Sequence, residues 1–223
     1  MSLPLFQKQS EQVVTRDLVR PETCQAYLRE FGKAIDSPSL LVTASQFSKW
    51  YARALACSAL ELQTTNGRGL DVSLEKTVIH VDLEGGKWKQ NIEMSCCKPV
   101  KSSWEDTVYH VFHDHLTPIW RTINKVTKIP MPILWENTAV RVFGLYEKKL
   151  AKNADAILQG QLKKDLHYLV HEAPGDLFGE PCNPLYPFYT GDAGARRRKT
   201  CCFYYKTGSG TYCSSCPKGC LKS

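Results

Sequence analysis

Four cysteines near the C-terminus constrain the fold of this chain more than any other feature. They form an adjacent pair, a ten-residue loop and a C-x2-C pair, at Cys201, Cys202, Cys213 and Cys216. A C-x2-C pair places two sulfur atoms on one tight turn, and a second pair across a short loop completes a four-thiolate site. The spacing therefore predicts a metal centre with four cysteine ligands.

Disulfides and structural zinc are the alternative interpretations of these cysteines. Residues 1–14 lack the apolar segment of a secretory signal, so we expect the chain to stay in the reducing cytoplasm, where disulfides are rare. Zinc ribbons usually use two C-x2-C turns, whereas Cys201 and Cys202 would point in opposite directions in a regular strand. A kinked backbone must present this pair, and zinc remains open as the alternative metal.

The cysteine spacing, with Pro217 directly after the last cysteine, resembles the C-terminal [2Fe-2S] signature of the FhuF-like ferric siderophore reductases. Other stretches are also similar to this family. They are residues 44–51 (ASQFSKWY), 134–137 (LWEN), 177–179 (LFG) and 183–185 (NPL). The resemblance thus extends over residues 40–223.

This resemblance implies a [2Fe-2S] cluster held by the four cysteines, in an oxidoreductase that reduces ferric siderophores. Cys220 departs from the family pattern, because it extends the C-x2-C pair by a further C-x3-C step. Four thiolates already saturate a [2Fe-2S] centre, so we expect Cys220 not to be a ligand. Two roles stay open for Cys220: replacement of one of the four cysteine ligands, or a spare thiol.

The excess positive charge of the chain is confined to the cysteine segment. The net charge is +7, and residues 193–223 contain seven Lys or Arg and no Asp or Glu, which leaves 22 of each sign elsewhere. Cations near a thiolate-bound metal favour its assembly whichever metal is bound. We expect the run Arg196, Arg197, Arg198 and Lys199 to attract an anionic ferric complex. No nucleic-acid-binding module accompanies this run, which argues against a nucleic-acid partner.

Composition and patterning predict an α+β fold, with helices packed on an antiparallel sheet, and the family resemblance implies a small C-terminal iron-sulfur lobe. With 43% apolar residues, 223 positions can bury a substantial core. We place the body at residues 1–190 and the cluster-binding segment at 191–223. The chain has no apolar run long enough for a membrane span, although contact of the basic tail with a membrane surface stays open.

The predicted elements follow hydrophobic periodicity. A first helix carries Phe47, Tyr51, Ala54, Ser58 and Leu62 on one face, with Thr43 or Ser45 as its cap. Alternation around residues 78–83, a Gly85-Gly86 turn and a partner strand at 87–94 indicate an antiparallel meander. Three helices follow, at 104–119 with a kink at Pro118, at 138–152 capped by Asn137, and at 155–171. An irregular proline-rich passage covers residues 174–187.

The remaining histidines and cysteines give weaker metal signals. On a regular helix His115 lies on the apolar face, whereas His110 and His113 point elsewhere, so we expect His115 in the core. His167 and His171 share a face opposite a leucine stripe, which indicates solvated side chains. Cys96 and Cys97 lack a nearby C-x2-C partner, and Cys24, Cys57 and Cys182 are isolated.

The chain lacks the glycine fingerprints of nucleotide-binding loops, so we expect electrons to come from another protein, such as a ferredoxin or flavodoxin. A [2Fe-2S] cluster transfers one electron at a time, which suits reduction of Fe(III) to Fe(II). The prediction is a cytoplasmic ferric siderophore reductase. The alternatives are a binding protein with four-thiolate zinc, and a [2Fe-2S] electron carrier or redox sensor. A siderophore-synthetase relative is a weaker option for so short a chain.

Overall fold

The computed structural model of the protein describes residues 10–84, 87–94, 99–191 and 196–219. Within these residues the α-helices are α1 (Pro21–Ala34), α2 (Leu40–Ala54), α3 (Ala56–Asn66), α4 (Trp104–Tyr109), α5 (Thr117–Thr127), α6 (Met131–Gly144) and α7 (Ala156–His167). The strands are β1 (Ser10–Val14), β2 (Gly69–Leu70), β3 (Val78–Glu84), β4 (Lys87–Glu93) and β5 (Pro99–Val100). Helices packed with a small antiparallel sheet confirm the predicted α+β class.

The main sheet has the strand order β1-β3-β4, and both pairings are antiparallel. The predicted hairpin is confirmed by the register that places Ile79 opposite Ile92, while its Gly85-Gly86 turn lies outside the described residues. The third strand, β1, was not predicted, because its polar Ser-Glu-Gln start hides the alternation. A separate small sheet pairs β2 with β5.

The first predicted helix differs from the structure at both ends. It begins at Leu40 because Ser39, rather than Thr43 or Ser45, accepts a hydrogen bond from the backbone N–H of Val42 at 3.3 Å. It ends at Ala54, and the chain continues after Leu55 as α3. The residues of the predicted apolar face are therefore divided between α2 and α3.

Helix α2 packs against α6 at the centre of the molecule. The rings of Phe47 and Tyr51 stack with centroids 5.1 Å apart, and the Trp120 ring meets Tyr51 edge-on at 6.0 Å. Such aromatic pairs contribute about 0.5–1.5 kcal/mol each beyond the area they bury. These ring contacts therefore hold α2, the helix that packs against α6, in the core through its contact with α5.

Residues Trp104 to Thr127 form one continuous helical stretch, in which a π-helical segment, His110–Leu116, joins α4 to α5. The helix continues through Pro118, which lies in the first turn of α5. Proline removes a backbone N–H and crowds the preceding turn, and the wider π-helical turns before it relieve that crowding. The predicted kink thus takes the form of a change in helical type.

Helix α6 begins seven residues before the predicted start, at Met131 with Pro132 in its first turn. Asn137 is therefore not a cap but lies in the middle of α6. The prediction was wrong because the Asn137 side chain is used in a tertiary contact instead of at a helix end. By contrast, α7 begins where the sequence predicted, because Asp155 caps it by accepting a hydrogen bond from the N–H of Leu158 at 2.8 Å.

Among the described residues, no helix is long and apolar enough to cross a membrane.

His115 is fully buried, as predicted, between two hydrogen-bonding partners. Its Nδ1–H donates to the Val72 carbonyl at 2.5 Å, and its Nε2 accepts from the Tyr51 hydroxyl at 2.6 Å. This arrangement requires a neutral ring. Burial lowers the pKa of His115 from 6.5 to about 4.

We expect His115 to make the fold sensitive to mild acid. Between pH 6.5 and about 4 the unfolded chain binds a proton that the folded chain excludes, so stability falls as the pH drops through this window. The loss at pH 5 is about 2 kcal/mol. Thermal unfolding of His115→Gln should show a smaller decrease between pH 7 and pH 5 than wild type. The partly exposed His113 gives the control, His113→Gln, and parallel pH curves for wild type and His115→Gln would contradict this role.

Candidate metal centre

The cysteine segment, defined here as residues 196–219, docks on α2 through the backbone of Cys202. The carbonyl oxygen of Cys202 accepts hydrogen bonds from Ser45 Oγ at 2.9 Å and from Gln46 Nε2 at 2.5 Å. Both donors are buried and come from the second turn of α2. Because buried carbonyls need partners, these contacts fix where the first cysteine pair lies.

Helix α6 holds the residues just before the cysteines. Glu136 accepts from the backbone N–H of Lys199 at 2.5 Å and of Thr200 at 2.7 Å, and also from the Thr200 hydroxyl. The adjacent Asn137 accepts from the Arg198 guanidinium at 2.5 Å and donates to Ser48 Oγ at 2.8 Å. One turn of α6 therefore accepts hydrogen bonds both from the backbone of the cysteine segment and from its buried arginine.

Arg198 and Glu136 form a buried ion pair at the centre of this contact. Their closest N and O atoms are 3.6 Å apart, and each side chain is only 2% exposed. A buried charge is tolerated where it is paired and hydrogen-bonded. The pair consequently couples the position of the cysteine segment to α6.

Arg196 provides a second anchor. Its two terminal nitrogens bind both carboxylate oxygens of Glu147, each at 2.7 Å, and its guanidinium lies over the rings of Phe143 at 4.6 Å and Tyr189 at 5.1 Å. Bidentate pairing combined with stacking is the strongest geometry available to arginine.

The basic run Arg196–Lys199 therefore divides into two parts. The side chains of Arg196 and Arg198 face inward and bind the body. Those of Arg197 and Lys199 are exposed. Alternation along an extended chain gives this division. Substrate attraction by the run stays a prediction.

The four cysteines lie on a compact folded loop. Cys202 Sγ and Cys213 Sγ are 3.5 Å apart, and the N–H of Cys216 donates to the carbonyl of Cys213 at 3.0 Å, which closes the C-x2-C turn. Cys202 and Cys216 are buried, whereas Cys201 and Cys213 are partly exposed. In the ranges that the structure describes, no three metal-ligating side chains converge closely enough to hold an ion.

The kink expected after the adjacent cysteines is present. Phe203 has a φ of 58°, in the left-handed region, and its N–H points to Cys201 Sγ at 3.4 Å. Non-glycine residues rarely adopt this conformation, so it has to be held by surrounding contacts. It turns the chain immediately after the pair, so that Cys201 and Cys202 need not follow strand alternation.

The loop between the two cysteine pairs packs on the turn between α1 and α2. The N–H of Gly208 donates to the carbonyl of Ile35 at 3.1 Å. A Cβ atom at position 208 would lie 2.6 Å from Asp36 Oδ2, so only glycine fits without a shift of that side chain. The sequence thus selects glycine for this close approach.

Electrostatics at the site favour a thiolate at Cys202. The contact with Cys213 and the charge of Lys49, whose Nζ lies 3.7 Å from Cys202 Sγ, lower the pKa of Cys202, although burial acts in the opposite direction. The same contact raises the pKa of Cys213. The backbone N–H of Tyr204 also bonds to Cys202. Cys202 is therefore ready to bind a metal near neutral pH.

The chemistry of the donor set fits a thiolate-bound metal. Two thiolates on one tetrahedral metal, with bonds of about 2.3 Å, have sulfur atoms about 3.8 Å apart, close to the 3.5 Å between Cys202 and Cys213. Backbone N–H groups directed at sulfur and the Lys49 cation are the contacts that tune such centres. The body and this segment together define an α+β protein with a C-terminal thiolate metal centre.

Comparison with known families identifies this class more closely. Residues 45–173 match the family described as ferric iron reductase FhuF-like transporter, and residues 198–218 match the FhuF 2Fe-2S C-terminal domain. The first match covers more than half of the chain, which therefore belongs to the FhuF-like family. The second includes all four cysteines and confirms the predicted [2Fe-2S] cofactor. No curated protein matches the chain.

Several residues that build the site were not recognised from the sequence. Lys49, Glu136 and Asn137 lie in the stretches that resemble the family, but we expected no role for Lys49 or Glu136 and only a cap at Asn137. The available signal was a pair of polar residues inside an otherwise apolar helix, Glu136-Asn137 in α6. Such residues are costly to bury unless another segment binds them.

None of the other candidate ligands that the structure describes belongs to a group of three metal-ligating side chains placed to hold an ion. His110 and His113 both contact the Asp114 carboxylate at 2.8 Å, and His167 and His171 are exposed with ring centroids 4.9 Å apart. Cys24 and Cys57 are buried and Cys182 is exposed. Cys96, Cys97 and Cys220 lie outside the described residues.

Proposed function

We propose that this protein is a ferric siderophore reductase that acts in the cytoplasm, with Cys201, Cys202, Cys213 and Cys216 holding its [2Fe-2S] cluster. Its membership of a ferric iron reductase family and its 2Fe-2S domain support the coarser class, an iron-sulfur ferric reductase. The observation that carries the proposal is the docking of the cysteine segment on α2 and α6 by buried polar contacts. It holds the redox centre in a fixed position against the body.

When bound, the cluster supplies one electron at a time, which matches the Fe(III) to Fe(II) couple. Siderophore oxygens are hard donors that hold Fe(III) far better than Fe(II), so one electron loosens the iron. In the overall reaction, a ferric siderophore and one electron give Fe(II) and the free siderophore. No carbon bond is broken, and the chain need only bind, orient and shield the reactants.

The residues around the cysteines provide this setting. Lys49 places a positive charge 3.7 Å from Cys202 Sγ, and its ammonium also lies over the ring of Tyr204 at 4.6 Å. Gln46 and Ser45 remove the Cys202 carbonyl from solvent. A fixed, partly dry environment lowers the reorganisation needed when charge changes.

The electron donor in this proposal is another protein, such as a ferredoxin or flavodoxin. Around the cysteines, Lys206 lies over the Phe203 ring at 5.9 Å and Lys218 over the Tyr205 ring at 5.8 Å, and both lysines are exposed. An exposed basic rim beside a redox centre suits an acidic partner, because opposite charges speed encounter.

The proposal is tested with anaerobically purified protein. Absorption and EPR spectra, together with iron, sulfide and zinc assays, should show a [2Fe-2S] cluster, whereas a colourless protein with zinc would support the zinc alternative. Chemically reduced protein is then mixed with ferric siderophores and a chelator that traps Fe(II). Formation of the Fe(II) chelate supports a reductase, and electrons retained in the cluster would indicate a carrier or sensor instead.

Removing the Lys49 charge should make the cluster harder to reduce. A cation beside a thiolate ligand stabilises the reduced, more negative state, so Lys49→Met should lower the reduction potential by tens of millivolts. Lys49→Arg keeps the charge and should stay close to wild type. Spectroelectrochemical titration of all three proteins measures the effect, and equal potentials for Lys49→Met and wild type would contradict it.

A further inference from the structure

The end of α7 carries a pair of exposed histidines that the cysteine centre does not use. His167 is the last residue of α7, and His171 lies one turn later, in the π-helical segment Tyr168–Glu172. Residues four apart share one face of a helix, and the two ring centroids are 4.9 Å apart. Short π-helical segments are rare and often occur at functional sites. The pair is therefore placed to bind one ligand jointly.

The separation of the two rings is the one that a shared metal ion requires. A histidine nitrogen binds a metal ion at about 2.0–2.1 Å, which puts the ion about 3.2 Å from the centre of the ring. Two rings on one ion, at angles between octahedral and tetrahedral, therefore have their centres about 4.5–5.2 Å apart. The observed 4.9 Å lies within this range. One ion can thus contact both rings with little movement of either.

Glu172 brings a third donor to the same place. Its Oε1 lies 3.3 Å from His167 Nε2, and two ligand atoms bound to one ion at these bond lengths are about 3.0–3.4 Å apart. Nowhere in the described part of the chain are three such side chains already positioned to hold an ion. His167, His171 and Glu172 are all exposed, and exposed side chains change rotamer within nanoseconds. They are therefore free to close around an ion when it arrives.

Aromatic contacts connect the histidine pair to the cysteine segment. The His171 ring meets the Tyr186 ring at 5.7 Å and the Tyr189 ring at 5.5 Å, both nearly edge-on. The Tyr189 ring also lies 5.1 Å from the guanidinium of Arg196, which anchors the cysteine segment to the body. A single side chain, that of Tyr189, therefore separates His171 from the segment that carries the redox centre.

We propose that His167, His171 and Glu172 form a binding site for a divalent first-row transition metal ion, and that the Fe(II) released by reduction is the ion that it takes. The choice of Fe(II) rests on the proposed reductase function, whereas the site itself does not. Imidazole ligands suit Fe(II), Ni(II) and Zn(II), and Mg(II) prefers oxygen ligands alone. Because the site has at most three protein ligands, it leaves coordination positions open through which the ion can be passed on.

Binding can be measured without any redox step. Isothermal titration calorimetry of the tag-free holoprotein uses Ni(II), and the cluster absorbance recorded in parallel shows that the [2Fe-2S] centre stays intact. Wild type should bind one Ni(II) and no Mg(II) under the same conditions. His167→Gln and His171→Gln should each weaken Ni(II) binding at least about tenfold, because each removes one of the two imidazole ligands. Glu172→Gln should cause a smaller loss.

His110→Gln is the matched control. His110 is also an exposed histidine in a π-helical segment, and it also contacts a carboxylate, that of Asp114, at 2.8 Å. Its replacement should leave the Ni(II) affinity of wild type unchanged. If His167→Gln and His171→Gln lose no more affinity than this control, or if wild type binds Mg(II) as tightly as Ni(II), the site is overturned.

Anaerobic equilibrium dialysis against Fe(II) tests the choice of ion. Wild type should retain one Fe(II) beyond the cluster iron, and the double variant His167→Gln, His171→Gln should retain none; equal retention would overturn the assignment. The Fe(II)-trapping assay separates this inference from the reductase proposal. If Ni(II) and added Fe(II) bind as expected but no Fe(II) forms from a ferric siderophore, the metal site stands and the reductase proposal fails. If Fe(II) forms but the histidine variants bind both ions like wild type, the reductase proposal stands and the metal site is overturned.

Discussion

Replacing Cys202 with serine is expected to remove most of the visible absorption and bound iron of the purified protein, and with them its ferric reductase activity. Cys202 is the most buried of the four cysteines, its sulfur lies 3.5 Å from Cys213 Sγ, and the pKa of its thiol lies below the ordinary value because of Cys213 and Lys49. Serine keeps the shape but replaces a soft thiolate with a hydroxyl that ionises far less readily. Iron and sulfide assays, absorption and EPR spectra measure the loss.

Two other cysteine variants are the controls for this prediction. Cys182→Ser changes an exposed cysteine outside the segment, and Cys220→Ser tests the expectation that the extra cysteine is not a ligand. Both should keep the wild-type spectrum and iron content. A Cys202→Ser protein with a full wild-type spectrum would contradict the ligand assignment, and a bleached Cys220→Ser protein would move one ligand to Cys220.

Arg198→Met should give the largest loss of stability among single changes at the docking site. It leaves Glu136 as an unpaired buried carboxylate and removes a hydrogen bond to Asn137. Removing one member of a buried ion pair costs about 3–5 kcal/mol, which lowers the thermal midpoint of a chain of this size by about 10 °C. Thermal unfolding followed by circular dichroism, with cluster absorbance recorded in parallel, measures both effects.

The matched control is Lys199→Met, which removes the neighbouring exposed charge and keeps the backbone contact to Glu136. Its midpoint should stay within about 2 °C of wild type. Glu136→Gln should resemble Arg198→Met, because it leaves the arginine unpaired. If Arg198→Met and Lys199→Met unfold at the same temperature, the pair does not hold the segment.

Patterns with a short repeat were read correctly from the sequence. The alternation in β3 and the start of α7 at about residue 155 are local features, and both are confirmed. The errors concern helix ends, since α2 begins at Leu40 and α6 at Met131. A polar residue such as Asn137 has the same chemistry at a cap and at a buried contact, so only its surroundings distinguish the two uses.

The sequence alone indicated a thiolate metal centre, and the family comparison gives its cofactor as a [2Fe-2S] cluster. Cysteine spacing is local information, because a tight turn brings the sulfurs of Cys213 and Cys216 to the same side whatever the rest of the chain does. The tertiary structure decided which residues hold the cysteine segment and which charged side chains pair with each other. Arg198 meets Glu136 and Asn137 across about 60 residues of chain. Such pairings depend on how α2 and α6 pack, and that packing follows from the burial of the whole core rather than from any short motif.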